Sequence, residues 1–231
     1  MSVAVQPVSF QRGVEIMRGA DMRIGTVVLA LVALVVSMAA EDIVDVLRRS
    51  QDMRLASLAP AAADSPRARV VQASFDSLLQ VLKPAVAVEL RVITGPVVAE
   101  TLHGHLVVAN ESIADWPEPL RLFVLAHELG HTQMDHWRQM AQVYQKWIPG
   151  AVVPALTDPV AVPLGREASG LAHDHEYAAD AYAARALRLL GRSEDDMQLV
   201  MNGLMMSGDT PTHPATRKRI MALRMQLDAA E

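Results

Sequence analysis

The stretch that most narrows what this chain can become runs Val-Leu-Ala-His-Glu-Leu-Gly-His-Thr-Gln-Met-Asp-His-Trp, from Val124 to Trp137. Its His-Glu-x-x-His core sets His127 and His131 four residues apart, on one helix face about one turn from each other. Two neutral imidazoles so placed can grip one metal ion. Glu128 is rotated by about 100° from His127, so it reaches a metal-bound water without forming a third corner. The preceding Phe123-Val124-Leu125-Ala126 is apolar. Bare polar groups beside such a flank are costly unless they are ligated or hydrogen-bonded. A helix of this kind needs a second element to complete the ligand set.

The third ligand cannot come from nearby. One zinc class carries His-Glu-x-x-His-x-x-Gly-x-x-His, and Met134 and Trp137 stand here where that pattern needs its glycine and third histidine. The sequence contains no cysteine, which excludes cysteine-ligated zinc and disulfides alike. His136 falls well round the helix from His131 and reads as a surface or orienting histidine rather than a ligand. Two glutamates further on are candidates. Glu167 sits in Gly-Arg-Glu-Ala-Ser-Gly, with no acid four residues later. Glu176 opens Glu-Tyr-Ala-Ala-Asp, so Glu176 and Asp180 share a helix face. One carboxylate of such a pair can bind metal while the other orients a ligand histidine. The residues therefore predict one zinc ion per chain on His127, His131 and Glu176, with Asp180 behind a histidine and Glu128 as general base. His213, in Thr-His-Pro, is the candidate donor to a developing oxyanion; a loop or capping histidine ahead of Pro214 is the equal alternative.

The remaining histidines read more plainly. His103 and His105 alternate along a strand-like stretch and fit polar edge residues better than a second metal site. His173 and His175 read as loop histidines beside the ligand helix. The methionines at 197, 201, 205, 206, 221 and 225 read as packing residues.

The 231 residues suffice for one domain with a terminal appendage, and 51% of them are hydrophobic. Much of that excess sits in residues 24–40, an uncharged run between Arg23 and Glu41. As a helix it would be roughly 25 Å long, against a hydrocarbon core of ~30 Å. Its small residues at the end also suit an export signal. Residues 1–40 are thus expected to be an export signal or a single membrane anchor, with the following domain extracytoplasmic. A net charge of -5 gives no electrostatic case for nucleic-acid binding.

Along the rest of the chain, 41–68 reads as a short amphipathic helix (42–57) and an Ala/Pro-rich linker, with the folded domain at 69–231. Within it the patterns predict a helix at 70–84 and two or three short strands over 87–110. A helix then runs from about Pro117 through Trp137, and can extend to Trp147. Four prolines and three glycines over 148–172 predict a long loop. Helices follow at 175–191, at 194–206 behind a Ser193–Asp196 capping box, and from Pro214 onward. The order is α+β: mostly helical, with a small sheet beside the His-Glu-x-x-His helix.

Ala-His-Glu-Leu-Gly-His-Thr-Gln-Met-Asp-His, then His-Glu-Tyr-Ala-Ala-Asp-Ala-Tyr-Ala, then Thr-His-Pro-Ala-Thr-Arg-Lys-Arg-Ile, in that order, resembles one zinc metallopeptidase family. It includes the HtpX-type membrane proteases, the CAAX prenyl proteases, and the Oma-type and BepA-type quality-control proteases. The resemblance covers roughly residues 66–226. It implies a gluzincin domain with His127, His131 and Glu176 as ligands, Glu128 as base, Asp180 behind the ligands and His213 near the substrate. His136 also matches a recurrent histidine of the family. The Asn-Ala-Phe triplet that often precedes the family's substrate-pairing strand is absent from Val98–Val108. Residues 148–172 hold too many prolines to span a membrane, which is closer to the soluble-domain members. The expected activity is a zinc metalloendopeptidase acting on polypeptides in quality control or processing of exported or membrane-associated proteins. The alternative is a latent, metal-bearing chaperone or adaptor with the site covered.

Overall fold

The architecture is built around two long helices that lie side by side and antiparallel. In the computed structural model, which describes residues 41–228, these are α3 (Glu118–Gln133) and α6 (Ala161–Leu189). The expected export signal or anchor over residues 1–40 lies outside the described residues. Among those described, no helix is long and apolar enough to cross a membrane.

Ahead of α3 come α1 (Ile43–Ala56), β1 (Ala59–Pro60), α2 (Pro66–Leu82), β2 (Glu89–Thr94), β3 (Ala99–Leu102) and β4 (Leu106–Asn110). α2 begins where Ser65 accepts from the Ala68 amide, with Pro66 at the first helical position. It ends at left-handed Lys83 (φ 46°), ahead of Pro84. Val71, Phe75 and Leu78 form its buried stripe. The sheet order is β1-β2-β4-β3, with β2 and β4 parallel and the β3–β4 hairpin antiparallel. β4 is buried throughout, and β3 is the edge strand nearest α3. The hairpin reverses through His103 (φ 53°) and Gly104 (φ 71°). A Cβ on Gly104 would lie 3.1 Å from Trp137 Cβ, so this turn needs glycine for space as well as for φ.

One apolar cluster joins Phe75 of α2, Val107 of β4, Phe123 and Leu129 of α3, and Leu187 of α6. It continues into α7 (Glu194–Gly203) through Val200 and α8 (Thr216–Asp228) through Leu223. The other sheet face, with Ile93, Leu102 and Val108, packs on Leu55 and Leu58. The Ser193–Asp196 capping box starts α7 as expected.

Four expectations are corrected. The helix expected over 42–57 is present as α1, but it and the segment after it pack onto the rest of the fold rather than standing ahead of it. Ile43 is buried with Ile148 and Leu164, and Ala59–Pro60 pair with Thr94 and Ile93 as a fourth strand. Residues 148–172 are not one long loop. Pro154 opens a single turn, α5 (Pro154–Thr157), a 3-10 turn follows, and α6 starts at Ala161. Pro163 falls in the first turn of α6, where no intrahelical N–H is needed, so it does not break the helix. Gly165 and Gly170 are carried inside it because Leu164 and Ala168 pack with Trp147 and Ile43. Thirdly, α3 stops at Gln133. Asp135 turns left-handed (φ 55°), and α4 (His136–Trp147) starts in a new direction. Aspartate tolerates that conformation, so no glycine or proline advertises the break. Finally, α7 ends at Gly203, and the last helix starts at Thr216 rather than Pro214.

Gly130 lies at the α3–α6 crossing. A Cβ there would be 3.2 Å from Tyr182 Cβ and 3.3 Å from the Ala179 Cα. The latter is backbone and cannot swing away. Gly130→Ala should therefore force the helices apart and cost about 1–3 kcal/mol. Urea unfolding measures this, and an unchanged midpoint would refute the tight crossing.

Candidate metal centre

The antiparallel crossing brings the two four-residue repeats face to face. On α3, His127 Nε2 and His131 Nε2 lie 3.1 Å apart. On α6, Glu176 presents Oε2 at 3.6 Å from His127 Nε2 and Oε1 at 3.4 Å from His131 Nε2. Zinc bonds of about 2.0–2.2 Å in a tetrahedron space their ligand atoms roughly 3.4 Å apart, so these separations suit such an ion. Among the described residues, His127, His131 and Glu176 form a group whose ligand atoms all lie within 4.8 Å of one another. The donor set, two imidazole nitrogens and a carboxylate, suits such an ion. Glu176 is buried, and its Oε2 has no hydrogen-bond partner, although Arg219 Nη1 stands 3.1 Å away at ion-pair distance.

Each ring is held from behind. His127 Nδ1 meets Asp180 Oδ1 at 3.0 Å, so the proton sits on Nδ1 and the Nε2 lone pair faces Glu176. His131 Nδ1 meets His136 Nδ1 at 2.9 Å. A neutral His136 accepts that proton and leaves the Nε2 of His131 bare. His136 in turn stacks on His175 at 3.8 Å between ring centroids, and His175 Nε2 lies 3.1 Å from Gln139 Oε1. The α3–α4 break thus supplies what an uninterrupted helix could not. It returns His136 to the back of His131.

Glu128 faces the same space. Thr101 Oγ1 on edge strand β3 is 2.7 Å from Glu128 Oε2 and 2.9 Å from the Glu128 backbone oxygen. A hydroxyl has one proton, so it donates to one of them at a time. Two cavities flank the site, of about 280 Å³ and 250 Å³, and both are lined by Ala99, His127, Glu128, Glu176 and His213. His213 extends from the loop between α7 and α8. Its Nε2 is 3.8 Å from Glu176 Oε1, its Nδ1 is 2.9 Å from Thr212 Oγ1, and it is more than half exposed.

The family model for peptidase family M48 matches residues 101–227, more than half of the chain. The chain belongs to peptidase family M48. This is a family of metallopeptidases, and the match begins in β3 and ends in α8. Among solved structures, the crystal structure of Ste24p from S. mikatae is similar at 20% identity and a TM-score of 0.46. That likeness covers 78% of this chain and 55% of the Ste24p chain, so it spans about half the length of Ste24p. No curated protein matches.

The other residues singled out from sequence lie elsewhere in this M48 chain. Glu167, the rival third ligand, binds Lys146 Nζ and Trp147 Nε1, each at 2.8 Å. His103 sits in the hairpin turn, 3.3 Å from Asp52, and His105 contacts the His103 carbonyl. Neither belongs to the metal-competent group. His173 and His175 are helical rather than in a loop, and His173 Nε2 holds the Thr210 carbonyl oxygen at 2.7 Å.

The sequence reading missed Arg219. From α8 it forms a fork on Asp180, with Nε to Oδ2 at 2.8 Å and Nη2 to Oδ1 at 2.6 Å. Its quoted Thr-His-Pro-Ala-Thr-Arg-Lys-Arg-Ile context was the available signal. Nothing there separates Arg219 from Arg217, because the distinction lies in how α8 rotates onto α6.

The charges settle one another. Burial pushes Glu176 up, but His131, the positive charge of His127 and that of Arg219 outweigh it and hold the carboxyl at about 2. Burial likewise opposes ionisation of Asp180, and hydrogen bonds from Arg219 and His127 prevail, leaving it below the usual range. For His127, burial disfavours the proton, and Asp180, Glu176 and Glu128 more than offset that, raising its pKa. Burial, followed by the charges of His131 and His175, lowers His136 to about 3.

The signs follow. The depressed carboxylates stabilise the fold above their ordinary values of 4.5 and 3.8, and that contribution is lost as pH falls through their lowered folded values, about 2 for Glu176. In metal-free protein the raised His127 acts oppositely: its contribution is full below 6.5 and is lost as pH rises through its folded value. Arg219→Met should cost about 3–5 kcal/mol near neutral pH, because buried Asp180 loses its main cation and Glu176 loses one of several. Urea unfolding of metal-free protein should show the gap from wild type narrowing as pH drops below 4.5. A gap independent of pH would mean that Arg219 acts only by packing.

Proposed function

We propose that the protein is a zinc-dependent metalloendopeptidase in which His127, His131 and Glu176 hold one zinc ion and Glu128 is the general base. The observation that carries this is the buried Glu176 carboxylate facing two histidine nitrogens as a three-ligand group, with Glu128 beside them in an open cleft. A structural zinc site needs no base and has four protein ligands; here three candidate ligands leave one position open. When bound, zinc supplies Lewis acidity that brings the pKa of a water toward about 7.

The chain's own residues do the rest. Asp180 and His136 keep both imidazoles turned with Nε2 forward. Arg219 keeps Asp180 and Glu176 ionised. Glu128 takes a proton from the attacking water at its carboxylate and passes it to the leaving amine nitrogen. Thr101 steadies that carboxylate in its ionised form. β3, open along one side, offers its backbone to an extended polypeptide. His213 is the donor for the developing oxyanion.

The natural substrates proposed are exported or membrane-associated polypeptides, a reading that rests on residues 24–40 alone. The second reading, a latent metal-bearing adaptor, draws on the proximity of His213 to Glu176. In that case the 204–215 loop covers the site.

The test compares wild type with Glu128→Gln for zinc per chain and for cleavage of unfolded casein. One zinc in both and a cleavage rate lower by roughly 10²–10⁴ in the variant are expected. Equal zinc with no difference in cleavage would sink the peptidase reading. His213→Ala separates the two readings, since slower cleavage marks an oxyanion donor and faster cleavage marks a cover.

A further inference from the structure

The two cavities beside the site differ in character, one mainly apolar and the other evenly mixed. One continues away from His127 and Glu128 between α3 and α7, and its walls are Trp116, Leu120, Phe123, Val124, Leu204 and Met205. The other runs toward α1 and α4, where Gln51, Glu100, Thr101 and His136 line it together with Trp137. Because both share Ala99, Glu128 and Glu176, a chain lying across those residues sends neighbouring side chains in opposite directions, one into each cavity.

At its α7 end the apolar cavity is lined by Gly203 and Leu120, whose side-chain tip occupies the space a methyl at 203 would need. A Cβ on Gly203 would lie 2.7 Å from Leu120 Cδ2. Both residues line the cavity, so the absent methyl and the resulting position of Leu120 together set its depth. Met205 forms an exposed rim (71% accessible), and its unbranched side chain can adapt to different apolar shapes.

We infer that this cavity selects a large aliphatic or aromatic side chain on one side only of the scissile bond, and that Gly203 determines the size accepted. The inference rests on the endopeptidase reading above and adds the substrate class to it. A methyl at Gly203 subtracts volume directly and displaces Leu120. Gly203 ends α7 with an ordinary helical backbone, so alanine there is also the better helix former and folding is not at risk.

The experiment maps cleavage sites of the full-length, zinc-loaded protein in unfolded casein by mass spectrometry. Sites flanked on one side by Leu, Met or Phe should exceed those flanked by Ala or Asp by roughly tenfold or more, with no such bias on the other side. Gly203→Ala should lower turnover at Phe-flanked sites by roughly ten- to a hundredfold and spare Ala- and Val-flanked ones. Val124→Phe, filling the cavity from α3, should do the same. No apolar bias, an equal bias on both sides, or wild-type profiles in both variants would overturn the inference.

A second readout separates this from failure of the peptidase reading. Fluorescein-labelled peptides differing only by Leu, Ala or Asp at one position are titrated against zinc-loaded Glu128→Gln. Tighter binding of the Leu peptide, lost when Gly203→Ala is added, upholds the cavity even if wild type cleaves nothing. Equal binding of the three overturns it.

Discussion

The close crossing of α3 on α6 is the constraint on which the rest depends. His127 and His131 are one turn apart on one helix, and Glu176 and Asp180 are one turn apart on the other. Running the helices antiparallel pairs the turns, so Asp180 falls behind His127 while Glu176 spans both rings. A parallel pair would register the acids in reverse. The approach is possible because Gly130, between the two histidines, presents no side chain to Ala179. The same glycine that lets the helices pack thus brings the carboxylates within reach of the imidazoles.

Such a crossing buries charge, and two carboxylates beside two histidines are not stable there unaided. Arg219 answers this from the last helix, its fork filled by Asp180 and its remaining nitrogen near Glu176. α8 is therefore more than a cover for the core. Leu223 anchors it among the apolar side chains, and Arg219, one turn earlier, neutralises the site. Docking of α8 and the charge balance of the site are therefore linked: the arginine reaches both carboxylates only from α8.

What could be read from sequence follows the range of the interactions. His-Glu-x-x-His and Glu-x-x-x-Asp were legible because each is a relation within one helix, and Ser193–Asp196 likewise. Even their pairing across the two helices could be argued, since the first motif lacks a ligand that the second offers. Arg219 was not legible, because its role depends on the rotation of α8 relative to residues far away in sequence. His136 was legible as an orienting histidine or a surface one, but not which ring it backs, because a single left-handed aspartate redirects the chain. The proline count over 148–172 also misled. Prolines terminate helices only where an amide is needed, and Pro163 sits where none is. β1, at two residues, carries no alternation to detect, and only its pairing with β2 makes it a strand.

The link between the base and the sheet edge bears on what kind of chemistry this arrangement favours. Thr101 points its side chain at Glu128, yet its backbone belongs to the outermost strand. An extended polypeptide adding to that edge would lie against the very residue that steadies the base. A buried metal site serving stability alone has no use for such a connection. Here the strand edge, Glu128 and the candidate ligands converge on one cleft, with a mainly apolar cavity on one side and a mixed one on the other. The proposed peptide substrate suits it, since an extended peptide arrives as a strand, projects side chains alternately, and needs a water and a proton carrier at its carbonyl.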